Sequence, residues 1–252
     1  MRLKNLARTL MTIMIGISVV QADETQNAVA KFDPKSALTM VYGGTTWKDP
    51  KVAQYFNSLG ADTVTDVAYV SLAFDAPYVE GGQQKHVIVS LLTPRPPEDY
   101  YCHACSPLVG AAVLRLTGGR WEVESTSKII EFIAIGHGFS LVHAGQDRYA
   151  VMLQQKDSHQ GYEMNRSDLL LPDNGSIRQV LSIGFDENPS PGACEDASEQ
   201  SVNLTFDTVI HKELYDVLTV VRKNEGECGR LKAIVQKGRY EYSAGAYRLI
   251  NQ

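Results

Sequence analysis

Residues 67–93 have the sequence VAYVSLAFDAPYVEGGQQKHVIVSLLT, which sets the expected fold class of the whole chain. Val67–Phe74 and Lys85–Thr93 are rich in the β-branched, aliphatic and aromatic residues that pleated strands favour. Between them lies Glu80-Gly81-Gly82-Gln83, and paired glycines supply the positive φ angles of a tight hairpin turn. The stretch therefore predicts an antiparallel β-hairpin.

Two further hairpins are expected on the same grounds. One spans Val113–Val123 and turns at Thr117-Gly118-Gly119-Arg120; the other spans Leu231–Leu249 and turns at Lys237-Gly238. Arg148–Gln154 has the composition of another strand.

The total of about eight to eleven short strands predicts a mainly β (α+β) fold, built on a predominantly antiparallel sheet or sandwich. Two segments, Ser176–Ile183 and Leu214–Val221, fit a strand or a helix equally well.

One clear helix is predicted near residues 49–60. Asp49 suits the N-cap and Pro50 the first helical position, and Gly60 ends the helix. Apolar residues recur at helical spacing between them: Val52, Tyr55, Phe56 and Leu59. Upstream, Ala28–Phe32 is a candidate short helix that Asp33-Pro34 would break.

Residues 1–22 have the features of a secretory signal peptide. Three basic residues precede an uncharged apolar run, Leu10–Val20, and Val20-Gln21-Ala22 is typical of a signal-peptidase site. A transmembrane anchor needs about 20 apolar residues, which this run lacks. We therefore expect 1–22 to be removed, and 23–252 to form a single globular domain that is periplasmic or secreted.

Charge excludes nucleic acid as a general partner. The chain has 252 residues and a net charge of −5, and losing the three basic residues of 1–22, which holds no acidic residue, changes the charge to −8. Nucleic-acid binding depends on neutralising phosphates with Lys and Arg. A polar acidic segment at 186–200 (DENPSPGACEDASEQ) is predicted to be a solvated surface loop, because its carboxylates lack the spacing of a calcium-binding loop.

The four cysteines predict two disulfides, since exported proteins fold in oxidising compartments. Of three possible connectivities, sequence spacing favours Cys102–Cys105 with Cys194–Cys228. In the chain-entropy model the long bridge stabilises by about 3.8 kcal/mol and the short one by about 1.9 kcal/mol. The short bridge therefore leaves more room for a role other than stability.

Cys102-His103-Ala104-Cys105 permits three interpretations. A disulfide in a loop is favoured. A thiol–disulfide oxidoreductase would use Cys102 as nucleophile, because a neighbouring imidazolium lowers a thiol pKa. A zinc site would add histidines such as His137 or His143, but the 31 residues between Cys105 and His137 exceed finger-type spacing.

No motif specifies catalysis or a cofactor. A phosphate loop, a dinucleotide fingerprint and H-E-x-x-H are all missing from the sequence, so we predict no cofactor, no metal and no assigned catalytic residue. Candidate ligand-facing residues are His103, His137 in a turn or pocket, and His159 in a polar loop, Ser158–Tyr162.

The favoured hypothesis is a non-enzymatic module that binds a ligand or an unknown protein or envelope partner. A thiol–disulfide oxidoreductase and a metal-dependent hydrolase are the alternatives. The oligomeric state is not predictable from these features.

Overall fold

The computed structural model describes residues 31–58, 67–94, 96, 107–132, 136–159, 162–184, 201–209, 212–225, 230 and 232–251. These residues form thirteen strands and two helices, so the mainly β, predominantly antiparallel fold is confirmed. The helices are α1 (Pro34–Tyr42) and α2 (Pro50–Ser58). The strands are β1 (Thr46–Lys48), β2 (Val67–Glu80), β3 (Gln83–Thr93), β4 (Leu108–Thr117), β5 (Arg120–Phe132), β6 (Gly136–Gly145), β7 (Arg148–His159), β8 (Tyr162–Asp173), β9 (Ser176–Gly184), β10 (Ser201–Asp207), β11 (Asp216–Glu225), β12 (Lys232–Ser243) and β13 (Ala246–Asn251).

The strands form three antiparallel sheets in which neighbours in sequence are also neighbours in space. The first sheet has the order β1-β2-β3-β4-β5, the second β6-β7-β8-β9 and the third β10-β11-β12-β13. Short hairpin turns suffice for most of these connections, because antiparallel neighbours need no crossover.

Three apolar clusters separate four layers. The helices cover one face of the first sheet, where Phe56 and Ile88 are buried in one cluster. The other face of that sheet packs on the second sheet, with Val89 and Leu153 in the second cluster. The far face of the second sheet packs on the third sheet, with Leu169 and Val217 in the third cluster. Both inner sheets are therefore covered on both faces.

The predicted hairpins at Gly81-Gly82 and Gly118-Gly119 are confirmed. The third hairpin forms between β12 and β13, but its predicted turn position is wrong. Lys237-Gly238 lies inside β12, where Gly238 pairs with Thr219 of β11. The turn is formed instead by Ala244 and Gly245, whose φ angles of 51° and 85° are both left-handed. Alanine is a poor residue for such a turn, which is why the sequence signal pointed elsewhere.

The helix predicted near 49–60 is confirmed as α2, and Asp49 Oδ1 accepts a hydrogen bond from Lys51 N at 2.8 Å. Leu59 and Gly60 lie outside the described residues. The break predicted at Asp33-Pro34 is wrong, because this pair begins α1. Asp33 is its N-cap, accepting a hydrogen bond from Ser36 N at 3.0 Å, and Pro34 occupies the first turn.

The short helix predicted at Ala28–Phe32 is not formed at Lys31 and Phe32, and residues 28–30 lie outside the described part of the chain. Both ambiguous segments are resolved as strands. Ser176–Ile183 belongs to β9, and β11 begins at Asp216 within Leu214–Val221.

Candidate functional site

Most of the residues predicted to carry chemistry fall outside the described residues. These are His103, Cys102, Cys105, Cys194 and Cys228, together with the acidic segment 186–200 and the signal peptide at 1–22. Both predicted disulfides therefore stay predictions.

The strand that follows the Cys102–Cys105 motif bears on its chemistry. The chain is already extended at Leu108, where β4 begins one residue after Pro107. A helix N-terminus beginning at Pro107 would have helped to lower a thiol pKa. No such helix begins at Pro107, because residues 108–117 form a strand.

Two of the three histidines that we expected to face a ligand, His137 and His159, lie in strands. His137 is in β6, opposite Gln155, rather than in a turn, and His159 ends β7, opposite Tyr162, rather than sitting in a longer loop. His143 pairs with Tyr149, ten residues along β7 from His159, a separation of roughly 30 Å at strand spacing. A site shared by His143 and His159 is therefore excluded.

A different site lies where the hairpin turns of the first and second sheets meet, and we call it the turn-end cleft. It has a volume of about 530 Å³. It is lined by Glu80, Gly81, Gln83, Lys85, Glu124, Ser125, Asp147, Arg148, Pro172, Asp173, Asn174 and Gly175. Because these residues come from strands and from the tight turns that join them, their backbone is fixed by the hydrogen-bond ladders of the sheets.

Lys85 is the centre of the cleft's polar network. Its Nζ donates to Glu80 Oε2 at 2.6 Å and to Glu124 Oε1 at 2.8 Å, and its side chain is only 9% exposed. Tyr149 N donates to the other Glu80 oxygen at 3.3 Å, which ties β7 of the second sheet to β2 of the first.

The protonation states of Lys85 and the nearby Tyr78 are fixed. Burial alone would lower the pKa of Lys85, but the hydrogen bonds to Glu124 and Glu80 outweigh burial and raise that pKa. Burial, followed by the charges of Glu80 and Glu124, raises the pKa of the Tyr78 hydroxyl well above its ordinary value. Lys85 is therefore an ammonium and Tyr78 a neutral phenol throughout the physiological pH range.

Glu124 reaches the cleft from a β-bulge. Val113 of β4 pairs with Ser125 while Leu114 pairs with Val123, so Glu124 is the extra residue between them. A bulge of this kind re-aims a side chain relative to a regular strand. One carboxylate oxygen, Oε1, binds Lys85; the other, Oε2, is buried and has no hydrogen-bond partner among the described residues.

The residues that line the cleft have a negative net charge. Four carboxylates and two cations line it, giving a net formal charge of −2. Arg148 donates to Glu213 Oε1 at 3.1 Å and to Pro172 O at 2.9 Å. Asp173 is paired with Arg178. These two partners, Glu213 and Arg178, do not line the cleft. Their charges are opposite, so including them would leave the net charge at −2.

A second polar cluster surrounds Asp168 in the second sheet. Asp168 is completely buried and accepts hydrogen bonds from Arg166 Nε at 2.8 Å, Gln155 Nε2 at 2.6 Å and Gln179 Nε2 at 2.8 Å. Because these donors occupy both oxygens, the cluster acts as a structural link across β7, β8 and β9.

A third cluster joins β11 and β12 to the segment between β10 and β11. Asp216 is buried and accepts from Arg239 Nη2 at 2.7 Å and from Lys212 Nζ at 3.0 Å. Burial alone would raise the pKa of the Asp216 carboxyl, but the hydrogen bonds from Arg239 and Lys212 outweigh burial and lower that pKa.

This lowered pKa predicts acid sensitivity. A carboxyl whose pKa is lower in the folded than in the unfolded protein stabilises the fold above the unfolded pKa, and that stability is lost as pH falls through the folded pKa. The Asp216→Asn variant should be less stable by about 2 kcal/mol at pH 7. Urea unfolding between pH 7 and pH 2 should show this difference shrinking below about pH 4. A difference that is unchanged at pH 2 would contradict the assignment.

His86 is a buried histidine that the sequence did not single out. Its Nε2 lies 2.8 Å from Asp75 Oδ2, and its ring stacks on Phe32 with centroids 3.4 Å apart. Trp121 meets both rings edge-on. The group anchors the chain just before α1 to the first sheet.

Comparison with known proteins identifies no relative: no protein family, curated protein or solved structure matches the chain. Among the described residues, no three His, Cys, Asp or Glu side chains are grouped so as to hold a metal ion. The helices of that same part of the chain are too short to cross a membrane.

Proposed function

We propose that this protein is an exported, non-enzymatic binding module that holds a small cationic ligand in the turn-end cleft. The observation that carries the proposal is the Lys85 ammonium fixed between Glu80 and Glu124 in the wall of that cleft. The same carboxylates that hold this internal ammonium are suited to a second one that enters from solvent.

Binding is favoured over proton-transfer catalysis because Lys85 in the cleft and the neighbouring Tyr78 each hold one protonation state. A general acid or base works best when its pKa is near the working pH. The pKa values of Lys85 and Tyr78 are both raised, away from neutrality. A charged, pre-organised pocket of this type recognises a ligand without exchanging protons with it.

The cleft's chemistry specifies a hydrogen-bond donor. Glu124 Oε2 is a buried acceptor without a partner in the described structure, and such an atom costs about 1–3 kcal/mol until a donor reaches it. With a net charge of −2 on the lining residues, a primary ammonium or a diamine fits better than a carboxylate or phosphate.

Export and two disulfides are the other parts of the proposal, and strand ends support the longer bridge. Ser201 of β10, seven residues after Cys194, pairs with Arg222 of β11, six residues before Cys228. The start of β10 and the C-terminal part of β11 thus lie at the same end of the third sheet. Peptide mapping without reductant should find Cys194–Cys228 and Cys102–Cys105 in a chain that begins at Asp23. Another pairing, or a retained 1–22 segment, would contradict this part.

Calorimetry with putrescine as the probe tests the cleft. Glu124→Gln should weaken binding about tenfold or more, because the amide halves the acceptors and removes the charge. The matched control is Glu122→Gln on the same strand, where the side chain is 52% exposed and pairs with Arg115, and its affinity should equal the wild type's. Equal weakening in both variants, or no binding by the wild type, would reject the proposal.

A further inference from the structure

The solvent-facing side of the third sheet differs in charge from the rest of the chain. Its inner side packs on the second sheet through alternate residues, such as Leu204, Val217 and Tyr240. The intervening residues point outward, since successive strand residues face opposite sides. Arg222 and Lys237 are on this outer side.

The acidic residues on this outer side are already bound. Asp216 and Asp207 pair with Arg239, and Glu241 pairs with Lys212. Three exposed basic residues remain that have no ion pair with any described residue: Arg222, Lys237 and Arg248. We call these three residues the basic face. It is a local positive surplus on a chain whose net charge is −5.

Apolar side chains lie between these cations. Val235 is opposite Arg222 in the ladder and is 53% exposed, and Val220 is opposite Lys237. Ile250, which follows Arg248 closely in β13, is also 53% exposed. Exposed apolar residues interleaved with unpaired cations are typical of surfaces that meet a partner having both anionic and apolar parts.

We propose that the basic face docks the protein onto an anionic phospholipid bilayer. Headgroup phosphates complement the three cations, and the boundary between headgroups and acyl chains accommodates Val235 and Ile250. A bilayer matches an open sheet face better than an acidic protein does, because it adapts to the surface without a complementary shape. This proposal is independent of the turn-end cleft.

Vesicle co-sedimentation tests the proposal with the wild-type protein first. Binding to vesicles of equal parts phosphatidylglycerol and phosphatidylcholine should exceed binding to pure phosphatidylcholine at low salt. Each basic residue near an anionic surface raises partitioning about fivefold, so three residues account for roughly 100-fold. Raising the salt concentration to about 1 M should abolish most of the difference.

Charge reversal identifies the face. Arg222→Glu/Lys237→Glu/Arg248→Glu should lose the preference for anionic vesicles, whereas Lys31→Glu/Lys35→Glu/Lys51→Glu, with the same change in net charge on the helix side, should keep most of it. If the triple glutamate variant does not fold, glutamine at the same three positions is the substitute. It removes the positive charges without adding negative ones, so the preference for anionic vesicles should be weakened rather than lost.

Three results would overturn the proposal. They are equal binding of the wild type to both vesicle types, equal loss in the helix-side variant, and binding to soluble polyglutamate that is as tight as binding to vesicles. The last result would identify an acidic protein as the partner instead.

Discussion

Replacing Asp168 with alanine should lower the free energy of unfolding by about 3 kcal/mol, because it removes the carboxylate that accepts hydrogen bonds from the Arg166 guanidinium and from two glutamine amides. The side chain of Arg166 is only 14% exposed, so water replaces the lost carboxylate only in part. The amides of Gln155 and Gln179 lose their acceptor as well. Because small domains are stable by only about 5–15 kcal/mol, the variant should unfold at much lower urea concentrations.

A double variant separates buried charge from packing. Arg166→Met/Asp168→Leu removes both charges, and the replacement of a buried ion pair by apolar residues of similar volume is often close to neutral. It should therefore recover the part of the loss that comes from breaking the ion pair, whereas the part that comes from the Gln155 and Gln179 amides persists. Asp147→Ala, in an exposed turn, is the control and should change stability by less than about 0.5 kcal/mol. An Asp168→Ala variant within 1 kcal/mol of the wild type would contradict the structural role.

Replacing Gly110 with alanine should destabilise the fold by about 3 kcal/mol, the upper part of the range for overpacking. A Cβ at Gly110 would collide with the Tyr42 hydroxyl and with the backbone carbonyl of Lys128. The Tyr42 hydroxyl fills that space because it hydrogen-bonds Ser90 Oγ at 2.6 Å, which holds α1 on the first sheet. Burial raises the pKa of Tyr42 to about 12, so the hydroxyl stays protonated.

Gly138→Ala is the matched control for Gly110→Ala. Gly138 is also a strand glycine, but nothing lies within 4 Å of a Cβ built there. Chemical denaturation should show little change or a small gain in stability for Gly138→Ala. Tyr42→Phe/Gly110→Ala should recover only part of the loss, since the clash with the Lys128 carbonyl persists. Equal effects at the two glycines would show that close packing against α1 is not what requires Gly110.

The fold class was predictable because its signals are local. Hairpin glycines at 81–82 and 118–119, and β-branched strands beside them, depend on neighbouring residues alone. Asp33-Pro34 carries the same cap-and-proline signal as Asp49-Pro50, and Asn174-Gly175 the strongest short hairpin signal, so both features were available to sequence analysis. The strand character of β4 was visible as well, in the apolar run that begins at Leu108.

The candidate site was not predictable, because long-range packing assembles it. Glu80, Lys85 and Glu124 come from three strands, and Arg148 joins them from another sheet. Each is an ordinary charged residue in the sequence. The bulge that places Glu124 depends on the register between β4 and β5, which no short motif encodes. Sequence analysis instead favoured histidines, because histidine is a common ligand and catalytic residue wherever it occurs, whereas glutamate and lysine are common on any surface.

An NMR titration with putrescine tests the central claim, ligand binding in the turn-end cleft, most directly. Amide signals of Gly81, Ser125 and Gly175, which line the cleft, should shift together and saturate with a single affinity. The signals of Gly138, far along β6 from this end, should stay in place. Shifts centred on Gly138 or on the segment around Cys102–Cys105, or no saturable shift at all, would contradict the account.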